Sequence, residues 1–194
     1  MLKIGVLVSG GGTNFQAIID GVESGEIPDS KIVKLISSNP KAYAIERAKK
    51  HNIDSKVIDK TSYNDNLERT KAIISELKEA KVDLIVLAGY MQVLGADIIK
   101  EFQGRIINIH PSLIPKYSGK GFYGKHVHEA VIAAGEKESG ATVHFVDEGV
   151  DTGEIIIQKK VPVLKEDQSD SLAKRVLEVE HEILVKAIAD FARK

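Results

Sequence analysis

KIGVLVSGGGTN, residues 3–14, decides the fold. An aliphatic, β-branched run over 3–9 stops at three consecutive glycines, and an amphipathic pattern over 14–23 follows at once. Strand, glycine turn and helix in that order form the first half of a crossover to a parallel neighbour. The alternation then continues along the chain. Strand candidates recur at 31–37, 55–59, 83–89, 105–110, 141–147 and 154–163, and helix candidates at 42–51, 63–80, 95–103, 126–134 and 169–191. Between the sixth and seventh strands there is no helical pattern, only VDEGVDTG (146–153), so that end of the sheet is expected to turn antiparallel.

The expected architecture is α/β: a Rossmann-like open, mostly parallel twisted sheet with helices on both faces and an antiparallel strand toward the C-terminal part. No composition shift, repeat or low-complexity tract divides the 194 residues, and 1–194 reads as a single catalytic domain. SGKGFYGK (118–125) reads as a mobile surface loop from its glycines.

The glycine turn also bears on function. Thr13 or Asn14 is placed to cap the following helix, and free N–H groups at such a terminus favour an anion, usually a phosphate. A turn with nothing bound is the plainer alternative. A dinucleotide fingerprint requires a third glycine where Phe15 stands, and a carboxylate where the second strand ends in Ser37-Ser38-Asn39-Pro40. Both are missing, as is a triphosphate loop with its Gly-Lys-Ser/Thr end. A small monophosphate fits better than NAD or ATP.

A formal net charge of −1 argues against a nucleic-acid footprint. The absence of cysteine removes disulfides, thiolate metal sites and thiol nucleophiles, and suits a reducing compartment. No apolar stretch approaches the roughly 20 residues of a membrane helix, and the N-terminal run is too short for a signal-peptide core. The expected setting is cytoplasmic, without membrane partners.

NIHPSLIP, 108–115, carries the chemistry. Side chains alternate along a strand, so Asn108 and His110 share one face, about 7 Å apart, at the strand's carboxyl end. Open α/β sheets place ligands there. Pro111 and Pro115 restrict the exit. A core histidine beside a turn asparagine is the bland reading. The loop 146–153 weighs against it by adding Asp147, Glu148 and Asp151, since a carboxylate beside a histidine orients the ring and stabilises its charge. An amide, an imidazole and a carboxylate without a hydroxyl or thiol nucleophile suggest direct acyl-type transfer, with the substrate supplying the nucleophile.

SGGGTN (9–14), LAGYMQVL (87–94), NIHPSLIP and VHFVDEGVDTGEIIIQ (143–158) together resemble the folate-dependent formyltransferase family. The phosphate turn and the short chain resemble its phosphoribosylglycinamide formyltransferase branch. The likeness runs in order from about residue 2 to residue 181. It implies transfer of the formyl group of 10-formyltetrahydrofolate to the amine of glycinamide ribonucleotide in de novo purine biosynthesis. It implies a catalytic trio of Asn108, His110 and Asp151, in which Asn108 and a protonated His110 stabilise an oxyanion. Asp151 would raise the histidine's pKa and assist proton transfer. Gly12, Thr13, Asn14 and Glu180 would contact the ribonucleotide. Met91, Gln92, Val93, Leu94, Asn108, Asp147, Glu148, Gly149 and Val150 would border the folate. No tightly bound cofactor and no metal are implied. The partners are the two small molecules, and the chain is expected as a monomer or homodimer.

Three features depart from the family pattern. Residues 62–66 offer no cation where relatives often carry one, Leu177 stands where some have a polar residue near the phosphate, and 118–130 looks longer. Among the remaining histidines, His126 and His128 at i and i+2 face different ways and do not make a joint metal site. His144 either backs the site or is structural, and His51 and His181 read as ordinary helix-end residues. Within the family, a methionyl-tRNA formyltransferase would need a further domain and a basic surface. A formyltetrahydrofolate deformylase usually has an added N-terminal regulatory domain. A non-catalytic phosphosugar-binding protein would keep the glycine turn but not need the trio.

Overall fold

The computed structural model describes residues 1–193. Its strands are β1 (Leu2–Val8), β2 (Ser30–Ser37), β3 (Ser55–Val57), β4 (Leu84–Leu87), β5 (Ile106–His110), β6 (Glu138–Phe145) and β7 (Ile155–Pro162). The helices are α1 (Thr13–Glu23), α2 (Ala44–Lys50), α3 (Asn66–Glu79), α4 (Ala96–Glu101), α5 (Lys125–Ala133) and α6 (Ser169–Ala192), with one 3-10 turn at Lys60–Ser62. The strands form one sheet in the order β3-β2-β1-β4-β5-β6-β7. β3 through β5 run parallel, β6 is antiparallel to β5, and β7 is antiparallel to β6. The expected α/β architecture, with its antiparallel C-terminal part, is the observed one. The short 146–153 connector leaves no room for a crossover helix.

Alternation along the strands feeds two apolar layers. Ile4, Val6, Val8, Val86, Ile107 and Ile109 face a core closed by Phe15 and Ile18 of α1 and by Val176, Ile183 and Leu184 of α6. Leu7, Ile36, Ile85 and Leu87 face the other way, onto Ile73 and Leu77 of α3 and Ile98 of α4. Leu87 pairs with Asn108, Asn108 with His144, and His110 with Thr142, so these side chains lie on the face that α3 and α4 cover further back. The aliphatic layer gives way there to polar groups. Sheet order reverses between β1 and β4, whose following helices lie on opposite faces, and a crevice opens at such a switch point.

Two sequence expectations need correction. Thr13 and Asn14 do not cap α1: both lie inside it, and the N-cap is Gly12 in the left-handed region (φ 72°) with no side-chain cap bond. A Cβ at Gly12 would lie 2.7 Å from that of Ala44, so glycine is required both by φ and by the close approach of α2. His181 is not at a helix end, because α6 runs unbroken from Ser169 to Ala192. His51 does end α2, where its Nδ1 lies 2.7 Å from Glu23 Oε1.

Candidate active site

A cleft of about 730 Å³ opens at the carboxyl ends of β4 and β5. That size suits a small-molecule ligand. Asn108, His110 and Asp151 meet in it. Asn108 Nδ2 lies 3.4 Å from Asp151 Oδ1, and His110 Nδ1 lies 3.5 Å from Asp151 Oδ2. The strand places the first two. A left-handed residue in the 146–154 loop places the third, since Asp151 has φ 58°, a backbone region sparse outside glycine and a common store of strain at sites. Gly119 N–H, from the 118–125 segment, donates to Asp151 Oδ2 at 3.0 Å.

The hydrogen bonds define how each tip is presented. Tyr117 O lies 2.9 Å from His110 Nε2, and a carbonyl only accepts, so the ring carries its proton on Nε2 and turns Nδ1 toward Asp151. His144 Nδ1 donates likewise to Phe145 O at 2.7 Å. His144 Nε2 lies 3.1 Å from Asn108 Nδ2 and 3.5 Å from Asp151 Oδ1, and so contacts both. Sequence left His144 open between two readings; the structure places it directly behind Asn108. The available signal was its shared strand face with Thr142.

The electrostatics correct one expectation. Burial holds the His110 pKa below its ordinary value of 6.5 and outweighs the opposing pull of Asp151. Asp151 thus pulls the pKa upward as expected, but burial outweighs it and the net bias is toward the neutral ring. Burial also opposes ionisation of Asp151, but His144, His110 and the Gly119 N–H together leave its pKa lowered.

Asn14 and Glu180 also line the cleft, and Asn14 Nδ2 donates to Glu180 Oε2 at 2.8 Å. Burial raises the pKa of Glu180 despite that bond. Gly12 and Thr13 lie outside the cleft wall, in the turn just before Asn14. Arg47 of α2 braces that turn by donating Nε to Gly11 O at 2.9 Å. Leu177, half-buried, lies one helical turn before Glu180.

Met91, Gln92, Val93 and Leu94 form one rim, and Asp147, Glu148, Gly149 and Val150 the other. Met91 is 50% exposed and Val93 70%, an apolar lip that a soluble protein usually hides unless it meets a ligand. Ser9 Oγ accepts from Met91 N at 2.8 Å and ties this rim to β1. Asp147 Oδ1 accepts from Thr152 Oγ1 at 2.6 Å and from Gly149 N at 3.1 Å, which shapes the opposite loop.

Arg69 was missed in the sequence. It is buried in α3 behind the rim, where Nη1 donates to Gln92 Oε1 at 3.0 Å and Nη2 to Asn66 Oδ1 at 2.6 Å. It lies one helical turn beyond residues 62–66, inside α3. His128 also lines the cleft and is buried, while His126 is exposed against Glu129 on another side of α5.

A formyl transferase family model matches residues 2–188. The chain belongs to the formyl transferase family. Within that family it is 46% identical over 183 residues to a phosphoribosylglycinamide formyltransferase of Haemophilus influenzae, covering 94% of this chain and 84% of that one. It is 45% identical over 188 residues to the trifunctional purine biosynthetic protein adenosine-3 of Drosophila melanogaster, covering 96% of this chain but only 14% of that much longer protein. The crystal structure of glycinamide ribonucleotide transformylase 1 from Symbiobacterium toebii superposes with a TM-score of 0.94 at 41% identity, covering 100% of this chain and 88% of that one. Among the described residues, no helix is long and apolar enough to cross a membrane.

Proposed function

We propose that this chain transfers a formyl group from 10-formyltetrahydrofolate to the primary amine of glycinamide ribonucleotide, in purine biosynthesis. The observation that carries this reading is an amide and an imidazole that each lie within 3.5 Å of one carboxylate in the cleft. The names of the relatives above supply the formyl group and its acceptor, and the motif resemblance supplies the folate donor.

The folate co-substrate brings the formyl carbon; this chain's residues manage charge and protons around it. Attack by the amine turns the formyl oxygen into an oxyanion. Asn108 Nδ2 lies against His144 Nε2 at 3.1 Å and donates a long bond to Asp151 Oδ1 at 3.4 Å, and in this reading the Asp151-facing hydrogen turns to the oxyanion as it forms. Preorganised donors of this kind typically contribute about 100- to 1000-fold each. His110 donates from Nδ1 only as the imidazolium, because Nε2–H is already committed to Tyr117. Burial keeps the ring neutral until negative charge develops beside it, and the oxyanion then shifts the balance toward protonation. Asp151 faces Nδ1 and is positioned to stabilise that charge and to pass the amine's proton toward the departing folate nitrogen.

In this reading the mostly apolar rim at 91–94 and the acidic loop at 147–150 hold the flat folate ring between them. The uncapped start of α1 takes the ribonucleotide phosphate, with Asn14 and Glu180 beside the sugar. The partners are two small molecules.

The test is a formyl-transfer assay with both co-substrates, run beside a measurement of free formate. Formylated ribonucleotide formed in step with folate release supports the reading. Formate release without an acceptor product would make the chain a hydrolase of the same donor.

A further inference from the structure

His110 heads a row that crosses three strands. In register it pairs with Thr142 on β6, and Thr142 pairs with Gln158 on β7. The Thr142 hydroxyl donates to Ser112 O at 2.6 Å and accepts from Ile114 N at 3.3 Å and from Gln158 Nε2 at 2.9 Å. One donor and two lone pairs are all a threonine hydroxyl has, so its capacity is used in full. Gln158 Nε2 also donates to Ile114 O at 3.1 Å, and Ser112 Oγ to Lys116 O at 2.7 Å. Two side chains, Thr142 and Gln158, thus anchor Ser112 and Ile114 of the 112–116 segment to the sheet.

The consequence appears one residue later. Lys116 O belongs to the peptide that leads into Tyr117, whose backbone is left-handed at φ 53° and whose carbonyl receives His110 Nε2–H. The outer end is pinned as well, by Tyr117 Oη donating to Glu136 Oε1 at 3.0 Å and Lys116 Nζ to the same oxygen at 2.8 Å. Where Tyr117 O sits decides which ring nitrogen holds the proton, and so which one is left to face Asp151 and the cleft.

We propose that Thr142 and Gln158 are positioning residues for His110: through the 112–117 loop they hold the Tyr117 carbonyl that fixes the ring's tautomer. Neither needs to touch substrate. The claim rests on the formyl-transfer reading for its kinetic part, but not for its spectroscopic part.

The test compares Thr142→Val, Thr142→Ser and Gln158→Leu with the wild-type chain. The first readout is the imidazole ¹⁵N spectrum of ligand-free, histidine-labelled protein, with the His110 signals assigned by their loss in His110→Asn. The wild type should show His110 with its proton on Nε2. Thr142→Val keeps the side-chain shape but loses the hydroxyl; it should show mixed tautomers, with kcat lower by about 10- to 100-fold at little-changed KM, as expected of a small misplacement at a reacting centre. Thr142→Ser should restore both, and Gln158→Leu, on an exposed edge position, should move both part of the way.

A folded Thr142→Val with an unchanged His110 spectrum overturns the proposal, whatever its activity. If Thr142→Val does not fold, Gln158→Leu decides, and an unaltered spectrum there overturns it equally. A wild-type chain with no formyl transfer would remove the proposed function, while the spectra would still judge this inference.

Discussion

Replacing Asp151 by asparagine keeps the size of the side chain and an oxygen for Gly119 N–H, while removing the charge that faces His110. The two groups are 3.5 Å apart, with side chains only 6% and 10% exposed. Unit charges at that distance interact by about 5 kcal/mol at an effective dielectric of about 20. The cleft is open to water, so that figure is a ceiling, and opposite charges this close typically shift a pKa by about 1–3 units. Burial already holds the His110 pKa below 6.5, with Asp151 pulling the other way. Losing the carboxylate removes the upward pull, so the midpoint should fall further. The assay is an NMR titration of His110 in wild type and Asp151→Asn, paired with the pH dependence of formyl transfer. Both should move toward acid, with turnover near neutral pH lower by at least about 100-fold, the scale set by loss of transition-state charge stabilisation. A His110 midpoint that stays in place or rises in the variant would refute the electrostatic reasoning.

Other outcomes follow from single contacts. Gly12→Ala puts a Cβ 2.7 Å from that of Ala44 at a φ of 72°, and should cost about 1–3 kcal/mol in denaturant unfolding and raise KM for the ribonucleotide above that for the folate. Equal stability would argue against the close approach at Gly12, and an unchanged KM against a phosphate grip at this turn. Lys34 is buried between Asp54 and Glu76, so Lys34→Met should fall within about 1 kcal/mol of wild type, while Glu76→Leu, which leaves the buried amine only the exposed Asp54 carboxylate, should be the more destabilising of the two in urea melts. The reverse order would contradict this account of the cluster. His110, His128 and His181 all have pKa values lowered by burial from 6.5. The unfolded chain therefore binds more protons between those lowered values and 6.5, and stability should decline as pH falls through about 6.5. His128→Gln should flatten that decline in thermal melts taken from pH 7 to pH 5, and an unchanged slope would count against a buried neutral His128.

Much of the fold was legible because its signals are local. Glycines 10–12 end a strand and open a helix, and the brevity of VDEGVDTG forces an antiparallel turn whatever the rest of the chain does. Strand alternation likewise placed Asn108 and His110 on one face, and the structure brings Asp151 to them. What sequence misjudged depends on depth and on neighbours far along the chain. Whether Asp151 or desolvation dominates at His110 depends on how deep the ring sits, and no spacing encodes that. The cap of α1 fell to Gly12 because α2 packs against the turn and Asn14 turns to Glu180, 166 residues away. Arg69 becomes visible only once α3 is known to pack behind Gln92.

The most direct measurement is single-turnover formyl transfer from 10-formyltetrahydrofolate to glycinamide ribonucleotide by wild type, Asn108→Ala and His110→Ala. The account predicts a product-forming wild type, and in each variant a chemical step slower by about 100- to 1000-fold with folding intact. Near wild-type transfer by either variant would contradict it.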